Sequence, residues 1–158
     1  AEFITVVSSF FYESSSTDIN VTLSRCAWKI LSVYLKHSLI DNGANSDGVI
    51  AVQTFGDFQN FNPHLHIIAT DGCFTGNRTF QVGHCPRPSD LENLFRNEVL
   101  KMLKAEGKNN DAIIKNILSW HHTGFNVYCG STIWPHDENA LEKLARYIIR
   151  AAFSPRSA

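Results

Sequence analysis

His64 and His66 flank a single leucine, Leu65. In an extended strand alternate side chains share a face, so the two imidazoles project together, their Cα atoms about 6 to 7 Å apart, while Leu65 turns to the other side. Two imidazoles so placed can grip one metal ion. Two oxygen donors compete for the third place: Asp57 beside Gly56, and Gln53 on the segment before it. Two nitrogen donors and one oxygen donor with open positions suit Mg²⁺ or Mn²⁺, whose remaining sites can take phosphate oxygens, and ligand type alone leaves zinc open as well. The plainer alternative is a pair of strand histidines with Asp57 as a turn carboxylate.

The second chemically suggestive residue is Tyr147. At 100° per residue on a helix, Leu141, Leu144, Ala145 and Ile148 form one apolar stripe, and Lys143, Arg146 and Arg150 cluster opposite it. Tyr147 falls between the two, at the edge of the buried face. Cations beside a phenol stabilise its phenolate and the charge that develops on a phosphoryl group under attack. The ordinary alternative is a boundary tyrosine with a packed ring and a wet hydroxyl. Tyr128, on a segment that reads as a strand able to neighbour the histidines, is a rival nucleophile. Trp134, before Pro135 in a loop, could stack on unpaired bases, whereas Trp120 and Phe125 read as core and His121-His122 as a turn pair.

The elements that must carry these residues follow from periodicity. Apolar residues recur at helical spacing over 23–40, and Asn42, Gly43 and Gly48 then break the pattern. The β-branched segments 49–55 and 65–70 predict two strands that pair antiparallel, the second introduced by Pro63, and 79–82 predicts a third. Ser89 is the expected N-cap of a helix ending near Gly107, a further helix is expected over 111–120, and a strand over 124–130. Asp137 is placed to cap a last helix running to about Arg150. This order predicts an α+β domain with a central, mostly antiparallel sheet flanked by helices.

Composition agrees with one domain over all 158 residues, at 44% hydrophobic and 18% charged. No apolar run reaches the roughly 20 residues that span a bilayer. The four cysteines are scattered, without the Cys-x-x-Cys spacing of zinc or redox sites, and read as reduced thiols. The net charge of −1 excludes a uniformly basic nucleic-acid coat, but its distribution is uneven. Lys and Arg are missing from 37–77, where Asp41, Asp47, Asp57 and Asp71 lie, while Lys143, Arg146, Arg150 and Arg156 crowd the end. An acidic middle suits a cation and a basic end suits phosphate. With no initiator Met and no basic segment before an apolar one, the opening Ala1-Glu2-Phe3 is expected to be the edge of a fragment rather than a signal peptide.

Taken together, Gly48-Val-Ile-Ala-Val-Gln-Thr-Phe-Gly-Asp57, Asn62-Pro-His-Leu-His66, Asp71-Gly72, Trp120-His-His-Thr-Gly-Phe125 and Leu144-Ala-Arg-Tyr-Ile-Ile-Arg150 resemble the rolling-circle insertion-sequence transposases of the HUH endonuclease superfamily. The resemblance spans roughly 48–154 and implies a central antiparallel sheet flanked by helices. It also implies a nuclease in which Tyr147 cuts one strand of single-stranded DNA at transposon ends, leaving a 5′-phosphotyrosine that a free 3′-hydroxyl later reverses. In that scheme His64 and His66 hold the ion that polarises the scissile phosphate, Lys143, Arg146, Arg150 and Trp134 contact DNA, and the protein works in the cytoplasm, alone or as a homo-oligomer. The chain also departs from the pattern. Lys143 stands where many such proteins carry a second tyrosine, Ala151-Ala152 where prolines often follow, and no cysteine-rich segment precedes the domain. The expectation is therefore a catalytic-domain fragment of a longer transposase, the alternative being an inactive remnant that at most binds DNA.

Overall fold

The computed structural model describes residues 2–8, 17–39, 43–55, 61–76, 79–105, 107, 125–134 and 136–152. Its elements in chain order are β1 (Glu2–Ser8), α1 (Thr17–His37), β2 (Gly48–Phe55), β3 (Phe61–Ala69), β4 (Gly72–Phe74), β5 (Phe80–Val82), α2 (Pro88–Ala105), β6 (Phe125–Thr132) and α3 (Glu138–Ala152). The expected α+β class is what the chain adopts. The helix expected over 111–120 lies outside the described residues.

The main sheet has four strands in the order β2-β3-β1-β6, and every neighbouring pair is antiparallel. The expected β2–β3 pairing is present, with Val52 opposite Leu65 and Gln53 opposite His64. One element was not anticipated and one expectation is corrected. The N-terminal residues form β1, a central strand that joins β3 to β6. Residues 80–82 pair with β4 in a separate two-stranded sheet, Gly72 facing Val82 and Phe74 facing Phe80, so they do not extend the main one. The physical reason is the sharp reversal at Asp71-Gly72, where Gly83 N–H donates to Asp71 O and a Cβ on Gly72 would stand 2.0 Å from the Gln81 carbonyl oxygen. Only glycine allows the two short strands to close so tightly there.

One face of the main sheet is covered by α1 and α2. Strand alternation turns Leu65, Ile67 and Ala69 of β3 and Phe125 and Val127 of β6 toward it, all buried. The helices answer at helical spacing, α1 with Leu23, Ala27, Leu31 and Leu35, α2 with Leu91, Phe95, Val99 and Leu103. The Phe95 and Phe125 rings meet edge to face, their centroids 5.8 Å apart. At the rim, Lys29 of α1 pairs with Glu98 of α2, and that hydrogen bond holds the lysine above its usual pKa.

Helix ends explain two smaller differences. α2 begins at Pro88, with Asp90 and Leu91 N–H donating to Arg87 O, so Arg87 takes the capping position expected of Ser89. Proline suits the first helical position because its missing N–H has no partner there in any case. Gly107, at φ 69°, follows the end of α2 with its N–H on Lys104 O, a left-handed residue that stops the helix where expected. Asp137 caps α3 as anticipated, its Oδ1 accepting from Ala140 N–H at 2.9 Å. No disulfide joins the four cysteines; Cys26 and Cys73 are buried, and burial pushes the Cys73 thiol up in pKa. No described helix is long and apolar enough to cross a membrane.

Candidate active site

The second face of the sheet carries the histidines. Cross-strand register places Gln53, His64, Val7 and Asn126 in one row, and Ala51, His66, Thr5 and Tyr128 in the next. Directly opposed residues of antiparallel strands share a face. Leu65, between the histidines, is buried against the helices on the other side, which is the alternation that the triplet implied.

Gln53, His64 and His66 converge. His66 Nε2 lies 2.9 Å from Gln53 Oε1, His64 Nε2 is in hydrogen-bond contact with the same oxygen, and the two rings stand edge to face at 5.3 Å between centroids. With its proton on Nε2 each imidazole donates to that oxygen; with its proton on Nδ1 each turns a lone pair to the same point. His66 and Gln53 are 2% and 7% exposed and form the floor, while His64 is half-buried toward the opening. Burial, and then the neighbouring His64, hold His66 below the usual imidazole pKa, so it is neutral and ligand-competent at pH 7.

This donor set fits a divalent ion. Two ligand atoms at right angles, each about 2.1 Å from an ion, are about 3 Å apart, close to the 2.9 Å between His66 Nε2 and Gln53 Oε1. The Gln53 Nε2 is buried without a hydrogen-bond partner among the described residues. Leaving that donor unsatisfied costs about 1–3 kcal/mol, and the amide is nonetheless held with its oxygen toward the histidines. Among the described residues no three His, Cys, Asp or Glu side chains gather, and the oxygen that meets both imidazoles is that of the Gln53 amide. Asp57, the competing ligand, lies outside the described residues.

α3 lies against β2, the strand that carries Gln53. Of the expected apolar stripe Leu144 is buried, Leu141 is 39% exposed and Ala145 is exposed, while the Ile148 side chain lies outside the described residues. Lys143 and Arg146 are exposed, and Arg146 donates through Nε and Nη2 to Glu142 Oε1 at 2.9 and 2.6 Å. Tyr147 and Arg150 belong to α3, their side chains outside the described residues, as are Trp120, His121 and His122. Trp134 is 61% exposed and stacks on His136, whereas Phe125 belongs to the core, as expected. Sequence reasoning missed the part β1 plays, since Thr5 and Val7 occupy the middle of both rows. Its signal was the β-branched run Ile4, Thr5, Val6, Val7.

An antiparallel sheet with helices on one face and a two-histidine, one-amide donor cluster on the other defines an α+β domain with a metal-competent site. The family described as "Putative transposase" matches residues 48–157, a span that includes both histidines, Gln53 and Tyr147, and the chain belongs to that family. It is a transposase domain, and so part of a DNA-processing enzyme. No curated protein and no solved structure matches the chain.

Proposed function

We propose that the chain is the catalytic domain of a rolling-circle, HUH-type transposase that nicks and rejoins single-stranded DNA at transposon ends through a 5′-phosphotyrosine, with Mg²⁺ or Mn²⁺ held by Gln53, His64 and His66. The observation that carries this reading is the meeting of three donor atoms at one point of the sheet, in a chain of the transposase family. Bound there, the ion would draw charge from a phosphate oxygen and make the phosphorus more electrophilic.

The chain's own residues supply the rest. His66 and Gln53, fixed in the floor by burial, hold their donor atoms still, so little reorganisation is needed when a phosphate arrives. The Tyr147 oxygen attacks the scissile phosphorus as its phenolic proton passes to solvent; the P–O bond to the 3′ oxygen breaks, and that oxygen leaves as a 3′-hydroxyl after taking up a proton. The 5′ side stays on Tyr147. Attack by a 3′-hydroxyl on the phosphotyrosine reverses the sequence and needs no nucleotide cofactor, because the ester conserves the bond. Lys143 and Arg150, one turn either side of Tyr147, favour the phenolate and the phosphate charge. Arg146 can exchange its exposed partner Glu142 for a phosphate at little cost, since such surface pairs contribute about 0–1 kcal/mol. Trp134 offers an exposed indole to a base.

The test is incubation with Mn²⁺ and single-stranded DNA of transposon-end sequence, read as a covalent adduct on a denaturing gel. The adduct forms with the wild-type chain and is lost in Tyr147→Phe and His64→Ala. Absence of any wild-type adduct refutes the activity and leaves an inactive remnant that at most binds DNA.

A further inference from the structure

Tyr128 stands out on the donor-bearing face. It is 64% exposed on β6, an edge strand of the main sheet, and no hydrogen bond engages its hydroxyl among the described residues. A structural boundary tyrosine buries its ring, and this one does not. Its place is set by backbone register: Tyr128 opposes Thr5, which opposes His66, so it lies two strand spacings, about 10 Å, from the deeper histidine on the same face. Asn126, the preceding residue on that face, is exposed and shares the row of His64.

A phosphate gripped beside His64 and His66 carries a nucleoside on either side, and one of them must cross the β1–β6 half of the sheet or turn away from it. An exposed aromatic ring on a rigid strand at that distance is a platform for an unstacked base, with the Asn126 amide beside it to hydrogen-bond a base edge. We propose that Tyr128 stacks on a nucleobase flanking the scissile phosphate and so positions single-stranded DNA over the donor cluster. The proposal rests on the nicking reading of that cluster. It makes Tyr128 a positioning residue through its ring, not a nucleophile through its oxygen.

The test is binding of a fluorescent oligothymidylate to the full chain in Mn²⁺, followed by anisotropy, for wild type, Tyr128→Phe and Tyr128→Ala, with Mn²⁺ affinity measured calorimetrically in each. Loss of one base stack weakens binding by about 5- to 150-fold. Tyr128→Ala should show that loss, Tyr128→Phe should bind within about twofold of wild type and still form adduct, and Mn²⁺ affinity should be unchanged in both. Wild-type binding by Tyr128→Ala, equal weakening in both variants, or an adduct lost in Tyr128→Phe overturns the proposal; the last would make Tyr128 the nucleophile. A wild type that binds oligothymidylate through Tyr128 yet forms no adduct with transposon-end DNA upholds the stacking and refutes the nicking reading alone.

Discussion

Replacing a ligand at the centre of the donor cluster should show in metal affinity before it shows in anything else. His66→Ala and His64→Ala should lower Mn²⁺ affinity by more than the roughly 10–100-fold that outer-sphere changes cost. Gln53→Ala should do the same if its oxygen is the third ligand, and an undiminished affinity there with a loss in Asp57→Ala would transfer the role to Asp57. The pH dependence of stability follows from His66, whose pKa is depressed by burial and by His64. Unfolded, it takes up a proton near pH 6.5; folded, only at lower pH. Between the two values the unfolded state binds more protons, so the contribution is present above about pH 6.5 and is lost as the pH falls through the folded value. Urea midpoints of the metal-free protein should therefore drop from pH 7 to pH 5, and less so in His66→Gln. The histidine pair was legible in the sequence because strand periodicity is 2, and both Gln53 and Asp57 lay within reach of it. The register that sets Gln53 opposite His64 comes from pairing between strands, which no local sequence pattern carries.

At the scale of elements, the site is held by the sheet from beneath and by α3 from beside. Asp137→Ala removes the α3 cap and should cost about 0.5–2 kcal/mol in chemical denaturation, with adduct yield falling only as the folded fraction falls. Leu65→Ala, deleting a buried side chain directly behind the histidines, should cost about 2–5 kcal/mol and loosen the metal site with it. Long elements were readable: α2 repeats its apolar residues every fourth position, and β2 and β3 are rich in β-branched residues. Short or terminal ones were not. Three-residue strands such as β4 and β5 carry too few positions to show a period, and β1 went unread because its role lies in partners far away in sequence, Leu65 and Val127. Likewise Pro88 displaced the expected cap by fixing the first helical residue itself.

The whole chain has nearly balanced charge, so the proposed DNA binding would draw on local features, the exposed Lys143 and Arg146 of α3 and the exposed aromatics, rather than on a general positive field. The family assignment rests on the match over residues 48–157, and the metal is expected to couple to folding of that whole span. At a Mn²⁺ concentration about 100 times the dissociation constant, binding should stabilise the fold by about 2.7 kcal/mol, seen as a rise in melting temperature that His64→Ala abolishes. The central claim, a tyrosine that joins itself to DNA beside a metal held by Gln53, His64 and His66, is tested most directly by mass spectrometry of the adduct formed with Mn²⁺ and transposon-end DNA. The account predicts a nucleotide-bearing peptide containing Tyr147, absent in Tyr147→Phe and in chelator. An adduct on any other residue, or one that persists without metal, would contradict it.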